Sequence, residues 1–354
     1  MKANNNIKAK ESFVDTVRSD IDNHKTKLNS GGKSTNCFVV KSADEWIEEA
    51  KKRPIPNMLF DAFWFENEIC ILFADTNLGK SILAMQIADS ISRGKSIQGF
   101  QLETGAQKVL YFDFELSDKQ LEKRYSKDYK YHYNFHPNFL RAEINPESEK
   151  PKKFKTFEDF LCDSLEQLVL SYGMKVIIID NITFLRDDNE KAKDALTLMK
   201  HLKALGKTHG LSILVLAHTP KIKPFDPLTK NHLSGSKMLI NFCDSSFAIG
   251  KSSTLPSLRY LKQIKQRNTE EIFHSGNVAI CEIIHENSFL GFHFIECDDE
   301  QNHLKTFSSD DVDDRNTIVL GLKKEGLTNT AIASQIGVSE GTVRNILKNS
   351  MDNP

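Results

Sequence analysis

The chain has no cysteine pair at redox or metal-binding spacing, no apolar run long enough to cross a membrane, and almost no net charge. Its six cysteines (Cys37, Cys70, Cys162, Cys243, Cys281 and Cys297) are scattered over 354 residues. That usage excludes a zinc ribbon or a disulfide framework and fits reduced core thiols. The strongest apolar runs, around Val176 to Ile179 and Ile213 to Ala217, fall far short of the ~20 residues a membrane helix needs. Met1 to Asn6 lacks the apolar stretch of a secretory leader, so the expectation is a soluble, cytoplasmic protein with no membrane partner. Lys plus Arg (47) nearly cancel Asp plus Glu (48), leaving a formal charge of -1. Attraction to nucleic acid must therefore come from a local patch.

Residues 1–40 are rich in Asn, Lys, Ser and Gly and poor in large apolar side chains, which predicts a flexible N-terminal segment. Ala43 to Lys52 has the pattern of a short helix stopped by Pro54. From Ile69 to about Phe294, short β-branched runs alternate with helical patterns, which predicts an α/β fold with a mostly parallel sheet flanked by helices. The strand candidates are Glu68 to Phe73, Lys108 to Phe114, Val176 to Asp180 and Ser212 to Ala217. Leu258 to Ile264 and Val278 to Ile284 look like antiparallel additions. The acidic stretch from Ser308 to Asp314 has linker composition. The expected organisation is a domain over 41–300, a linker over 301–314 and a small all-α module over 315–349.

Ligands of open parallel sheets bind beyond the carboxyl ends of the strands. There the sequence carries Ala74-Asp75-Thr76-Asn77-Leu78-Gly79-Lys80-Ser81, followed by Ile82 and an amphipathic helix. A glycine-lysine-serine loop between a strand and a helix surrounds phosphates with backbone N–H groups. Lys80 is expected to neutralise β/γ-phosphate charge and Ser81 to ligate magnesium, so ATP and Mg2+ are the expected cofactors. Ala74 stands where the motif has its first glycine, and a Cβ there restricts the turn. The competing reading is a chance Gly-Lys-Ser at a strand-to-helix turn.

Three other strand ends complete a hydrolytic set. Glu115 lies at the exit of the Lys108 to Phe114 run, where a carboxylate orients and deprotonates an attacking water. Asp113 competes with it, although its deeper position favours a hydrogen-bonding role. Asp180 closes the run from Val176 as a Walker B acid would, holding magnesium with Ser81; the alternative is a cap on the following helix. His218 arrives on the same rim, either as a sensor of the γ-phosphate or as a structural histidine.

These motifs occur in the order found in RecA/DnaB-like ATPases, and residues from about 55 to 295 resemble the branch that includes plasmid RepA-type hexameric helicases. The resemblance implies a RecA-like fold, ATP hydrolysis and a homo-oligomer, with the hexamer as the form its relatives take. Phe114 to Leu121 is similar to the segment that carries the family's catalytic glutamate, and Leu233 to Lys237 to its Gly-Ser element. By the same resemblance Lys265 and Arg267 reach a neighbouring subunit's nucleotide, as arginine fingers do. The bland reading is a basic strand end. The loop from Thr219 to Lys230 corresponds to a channel loop, so Lys221, Lys223 and Lys230 are implied contacts for single-stranded DNA. An ordinary exposed loop has the same composition. Nothing resembles the primase-contacting domain of bacterial replicative helicases.

Asn329 to Lys348 resembles the helix-turn-helix of resolvases and response regulators, with Thr317 to Glu325 as an earlier helix. Ile332, Ile336, Val338, Val343 and Ile346 supply its core, Ala333 is small where two helices cross, and Gly337 permits the turn. If the last helix enters a major groove of duplex DNA, Ser339, Thr342, Arg344, Asn345 and Lys348 face bases or phosphates. A protein-interaction module is the alternative. Together the motifs point to a DNA-associated motor or remodelling ATPase, helicase-like, serving replication of a plasmid or mobile element. An ATP-switched DNA-binding regulator without motor activity competes with it, because of Ala74 and the missing helicase accessory domain.

Overall fold

The computed structural model describes residues 33–35, 38–181, 193–219, 222–232, 237–305, 309–336 and 338–352. Two compact units divide the chain, Met1–Ile55 and Pro56–Pro354. In the first, Lys33–Thr35 pairs antiparallel with Phe38–Val40. Helix α1 (Ala43–Ala50) begins at a capping box, in which the Ser42 hydroxyl accepts from Glu45 N–H and the Glu45 carboxylate accepts from Ser42 N–H. Two otherwise orphaned donors are satisfied reciprocally, which fixes where the helix starts. Most of the predicted N-terminal segment, residues 1–32, lies outside the described residues.

The second unit is built on a nine-stranded sheet. Its strands are β1 (Ile69–Ala74), β2 (Val109–Asp113), β3 (Phe139–Ala142), β4 (Val176–Asp180), β5 (Ser212–His218), β6 (Ser245–Lys251), β7 (Leu258–Lys265), β8 (Val278–Glu286) and β9 (Phe289–Asp298). They lie in the order β9-β8-β7-β6-β1-β5-β4-β2-β3. The strands from β6 to β3 in that order are parallel to one another. The hairpin-linked β7, β8 and β9 extend the sheet antiparallel beyond β6. The mostly parallel α/β sheet flanked by helices is therefore as expected.

Alternation along the strands divides their side chains between two cores. Cys70, Leu72, Ala74, Tyr111, Ile178, Leu214 and Leu216 face one, which α2 (Lys80–Arg93) covers with Leu83, Ile87 and Ile91. Ile71, Phe73, Leu110, Ile177, Ile179 and Val215 face the other. A short α3 (Asp118–Arg124) follows β2. Helices α4 (Phe157–Tyr172), α5 (Lys193–His209) and α6 (Lys237–Phe242) cover the second core with Leu165, Val169, Met199, Leu202 and Leu239. No helix among the described residues is long and apolar enough to cross a membrane.

Within the span expected as a linker over 301–314, the described residues include a 3-10 turn and the start of a helix. Glu300–His303 forms a 3-10 turn in which Glu300 and His303 are buried, and Leu304 is buried beside them. Glu300 pairs with the buried Lys262 and accepts from Leu228 N–H at 2.7 Å. Ser309 opens helix α7 (Ser309–Lys324), so the described part of the acidic run is helical. Helices α7, α8 (Asn329–Ile336) and α9 (Glu340–Asp352) enclose a core of Val319, Ile332, Ala333, Val343 and Ile346. Gly337, the expected turn residue, lies outside the described residues.

At the amino ends of the central strands, Glu68 is 3% exposed. It accepts hydrogen bonds from Ser245 Oγ (2.8 Å), Asn268 Nδ2 (2.8 Å) and Phe65 N–H (3.2 Å). Burial nevertheless pushes its pKa up to about 7. Its contribution is fully present below the unfolded pKa of 4.5 and is lost as pH rises through about 7, because the unfolded state ionises first. Glu68→Gln mimics the neutral form, with Asn268 free to flip its amide. Denaturant titrations at pH 5 and pH 8 should show the wild type losing stability relative to this variant by about 1–3 kcal/mol.

Candidate functional site

The carboxyl end of β1 leads directly into the glycine-lysine-serine loop. Asp75 turns the chain by accepting from Thr76 N–H at 2.7 Å, Asn77 adopts a φ of 63° and Gly79 a φ of 99°. The Gly79 carbonyl accepts the first helical hydrogen bond, from Leu83 N–H at 2.9 Å, so α2 begins at Lys80. Only glycine suits that left-handed position, since an added Cβ would lie 2.9 Å from Ile283 and the Phe292 ring. Ala74 differs. It is the last residue of β1, paired with His218 on one side and Ile249 on the other. Extended backbone there accommodates a Cβ, so the missing first glycine does not strain the loop.

Lys80 is buried, with its ammonium 3.2 Å from the Ala74 carbonyl, 3.4 Å from that of Asp75 and 3.0 Å from His218 Nδ1. Burial draws its pKa down, opposed by the charges of Asp180, Glu115 and Asp75. The His218 Nε2 lies 3.2 Å from Glu115 Oε1. An ammonium can only donate, so Nδ1 accepts from Lys80 and Nε2 carries the hydrogen directed at Glu115. The amide of Asn181 also donates to Glu115. The His218 hydrogen bond is the largest influence holding the Glu115 carboxyl below its ordinary range, against partial burial.

Asp180 is fully buried, and burial raises its pKa to about 6 despite hydrogen bonding by Ser81 and Tyr111. The Tyr111 hydroxyl donates to Oδ2 at 2.7 Å, while Oδ1 has no hydrogen-bond partner among the described residues. A buried acid with an unsatisfied oxygen beside a serine hydroxyl is suited to a hard divalent cation. The set therefore fits magnesium, and Ser81 and Asp180 are the residues that could hold it. Asp113 has another role. Its Oδ1 accepts from Glu115 N–H (3.1 Å) and Leu116 N–H (2.9 Å), and its Oδ2 from Arg141 Nε (2.9 Å).

On the β6 side of the loop lies a cavity of about 470 Å³, bordered by Asp75, Leu78, Lys223, Gly250, Lys251 and Lys305. Lys223 is exposed, and its ammonium stands 5.8 Å from the Phe225 ring. Lys230 is exposed in the turn Lys230–His232. Lys221 lies outside the described residues, as do Leu233 to Ser236.

Lys265 and Arg267 are at the other end of the sheet. Ile249 pairs with Ala74, whereas Lys265 pairs with Ser246 and Arg267 holds Asp244 at 3.0 Å. Asp244 precedes Ile249 by five positions, roughly 17 Å at the rise of a strand. Lys265 donates to the Cys243 carbonyl at 2.7 Å and to that of Ile240, capping the end of α6. In α9, Val343 and Ile346 are buried while Arg344, Asn345 and Lys348 are exposed. Ser339 caps that helix by accepting from Thr342 N–H at 3.0 Å, and its hydroxyl is 2.8 Å from that of Thr342. Arg344 pairs with Glu340 at 2.8 Å.

A phosphate loop joined through a histidine to a strand-end glutamate, with a buried acid next to the loop serine, defines the class of P-loop ATPases. Residues 39–223, more than half of the chain, match the family described as AAA domain, and the chain belongs to that family. Among solved structures it is similar to a KaiC-like protein, PH0186, from the hyperthermophilic archaeon Pyrococcus horikoshii OT3. The two are 14% identical with a TM-score of 0.46, over 66% of this chain and 93% of that one. No curated protein matches the sequence.

Two substitutions separate the roles of the loop residues. Gly79→Ala should destabilise the protein by about 1–2 kcal/mol and weaken nucleotide binding, as read by thermal unfolding with and without ATP. Ala74→Gly restores the motif's first glycine, yet should lower stability by about 0.5–1 kcal/mol and leave ATP affinity unchanged.

Proposed function

We propose that the protein is a RecA-like ATPase that hydrolyses ATP with magnesium at the interface between identical subunits and acts on DNA. The carrying observation is the hydrogen-bonded chain from Lys80 through His218 to Glu115, beside Ser81 and Asp180 at one end of the sheet. The loop N–H groups and Lys80 bind the triphosphate, and the neighbouring cavity takes the base and ribose. Ser81 and Asp180 would hold magnesium, which when bound would supply positive charge against the phosphate oxygens. Glu115 orients the attacking water and accepts its proton, a role suited to a carboxylate kept ionised by His218. When Lys80 turns to phosphate, His218 loses its donor at Nδ1, so the imidazole registers whether nucleotide is present.

Lys265 and Arg267 are too far along the sheet to serve the nucleotide of their own subunit. That separation supports a neighbour's site as their target, and hence a closed homo-oligomer such as a hexamer. The exposed lysines Lys223 and Lys230 favour single-stranded DNA, and the exposed face of α9 favours duplex DNA. This combination suits a helicase-like motor of a plasmid or mobile element. The regulator reading draws on Ala74 and on the lack of anything resembling the helicase accessory domain; the extended backbone at Ala74 weakens the first of these supports and leaves the second.

Lys80→Ala should abolish ATP binding in calorimetry. Glu115→Gln should keep binding within a few-fold and slow hydrolysis by about 100-fold or more. Arg267→Ala should assemble with ATP-magnesium, as measured by light scattering, yet hydrolyse about 10³-fold more slowly. A strictly monomeric protein whose hydrolysis ignores single-stranded DNA would overturn the motor reading. Arg344→Ala should weaken duplex binding without changing hydrolysis, and unchanged duplex affinity would remove the groove-binding role of α9.

A further inference from the structure

The turn that carries Glu115 is closed from inside the protein. Asp113 Oδ1 accepts from the N–H groups of both Glu115 and Leu116, so a single carboxylate determines where the backbone of Glu115 stands. The other oxygen of that carboxylate accepts from Arg141 Nε at 2.9 Å. The same guanidinium donates to the Leu116 carbonyl at 2.7 Å and to Asp118 at 3.1 Å, and it pairs with Glu143. The Asp113 side chain is fully buried and that of Arg141 is 17% exposed, whereas Asp118 is 89% exposed. The inner arms of this fork, to Asp113 and Leu116, are thus the ones shielded from solvent. None of these contacts is to Lys80, Ser81, Asp180 or His218.

We propose that Arg141 is a positioning residue for Glu115, acting through Asp113 and the Leu116 carbonyl; this rests on the reading of Glu115 as the group that orients water. The planar fork grips the turn on both sides of Glu115, on the carboxylate that closes it and on the carbonyl of the next residue. His218 and Asn181 hold the tip of the glutamate, and Arg141 holds its base. Removing the guanidinium leaves a buried carboxylate without its counter-charge and a carbonyl without its donor, so the turn relaxes. Displacement of a catalytic group by ~1 Å costs on the order of 10²-fold in rate.

The test uses the full chain and compares Arg141→Ala, Glu115→Gln and the double variant for steady-state hydrolysis, with ATP-magnesium affinity measured by calorimetry. Arg141→Ala should lower kcat by about 10- to 100-fold while KM and ATP affinity stay within about two-fold. The double variant should be no more than about two-fold slower than Glu115→Gln, because a residue acting only through Glu115 has nothing left to position. A kcat for Arg141→Ala within about two-fold of wild type overturns the proposal, and so do losses that multiply in the double variant. If Arg141→Ala does not fold, Arg141→Lys takes its place under the same criteria, since a lysine keeps the charge beside Asp113 but cannot span both partners. A Glu115→Gln variant as fast as wild type overturns the underlying reading of Glu115 itself, whereas a slow Glu115→Gln with a fast Arg141→Ala overturns Arg141 alone.

Discussion

A lysine and a glutamate of opposite charge are kept apart and connected by one imidazole, and the candidate site depends on that arrangement. His218 contacts Lys80 through one ring nitrogen and Glu115 through the other. The contact exists because β5 lies between β1 and β4 in register, with His218 opposite Ala74. Hydrogen bonds in a partly desolvated setting are stronger than in water, and each member polarises the next. A shift of one residue in strand register would reverse the face of His218 and break both contacts. Pairing deep in the sheet therefore sets the chemistry at its rim.

The two ends of the sheet have different electrostatic character. At the carboxyl ends, a cation, a histidine and two carboxylates surround a loop of N–H donors. At the amino ends, Glu68, Asp244 and Arg267 form a charged cluster beside Lys265. Burial raises the pKa of Glu68 on one side of this cluster and lowers that of Lys265 on the other. At Glu68 the displacement favours the neutral acid and so reduces the charge held in the interior. Arg267, half exposed, retains the most contact with solvent.

The strand-end residues are legible in the sequence because each closes an apolar run whose length and β-branching identify a buried parallel strand. Gly79, Lys80 and Ser81 follow β1, Asp180 closes β4, and His218 closes β5. Arg141 and Asn181 escape such a reading for different reasons. Arg141 lies on the four-residue edge strand β3, whose residues are all half-buried and show no alternation, and its partner Asp113 is 28 positions away. Asn181 stands in the sequence only as the residue after Asp180, although its amide reaches Glu115. The acidic run at the start of α7 reads as a linker because acidic composition describes a solvated coil and a helix N-terminus equally well. Glu300 gives no sign of burial, since its counter-ion Lys262 is 38 positions away.

That buried ion pair determines where the chain can be cut. Glu300 holds Lys262 and the Leu228 N–H, Lys262 also donates to the Leu228 carbonyl, and Lys305 N–H donates to the Pro224 carbonyl. A truncated form ending before Glu300 would strand an ammonium in the interior and release the loop after β5, at a cost of about 3–5 kcal/mol. One ending just after Lys305 would keep every one of these bonds. The bonds around the loop after β5 are therefore complete only when the chain extends through Lys305, past the last strand.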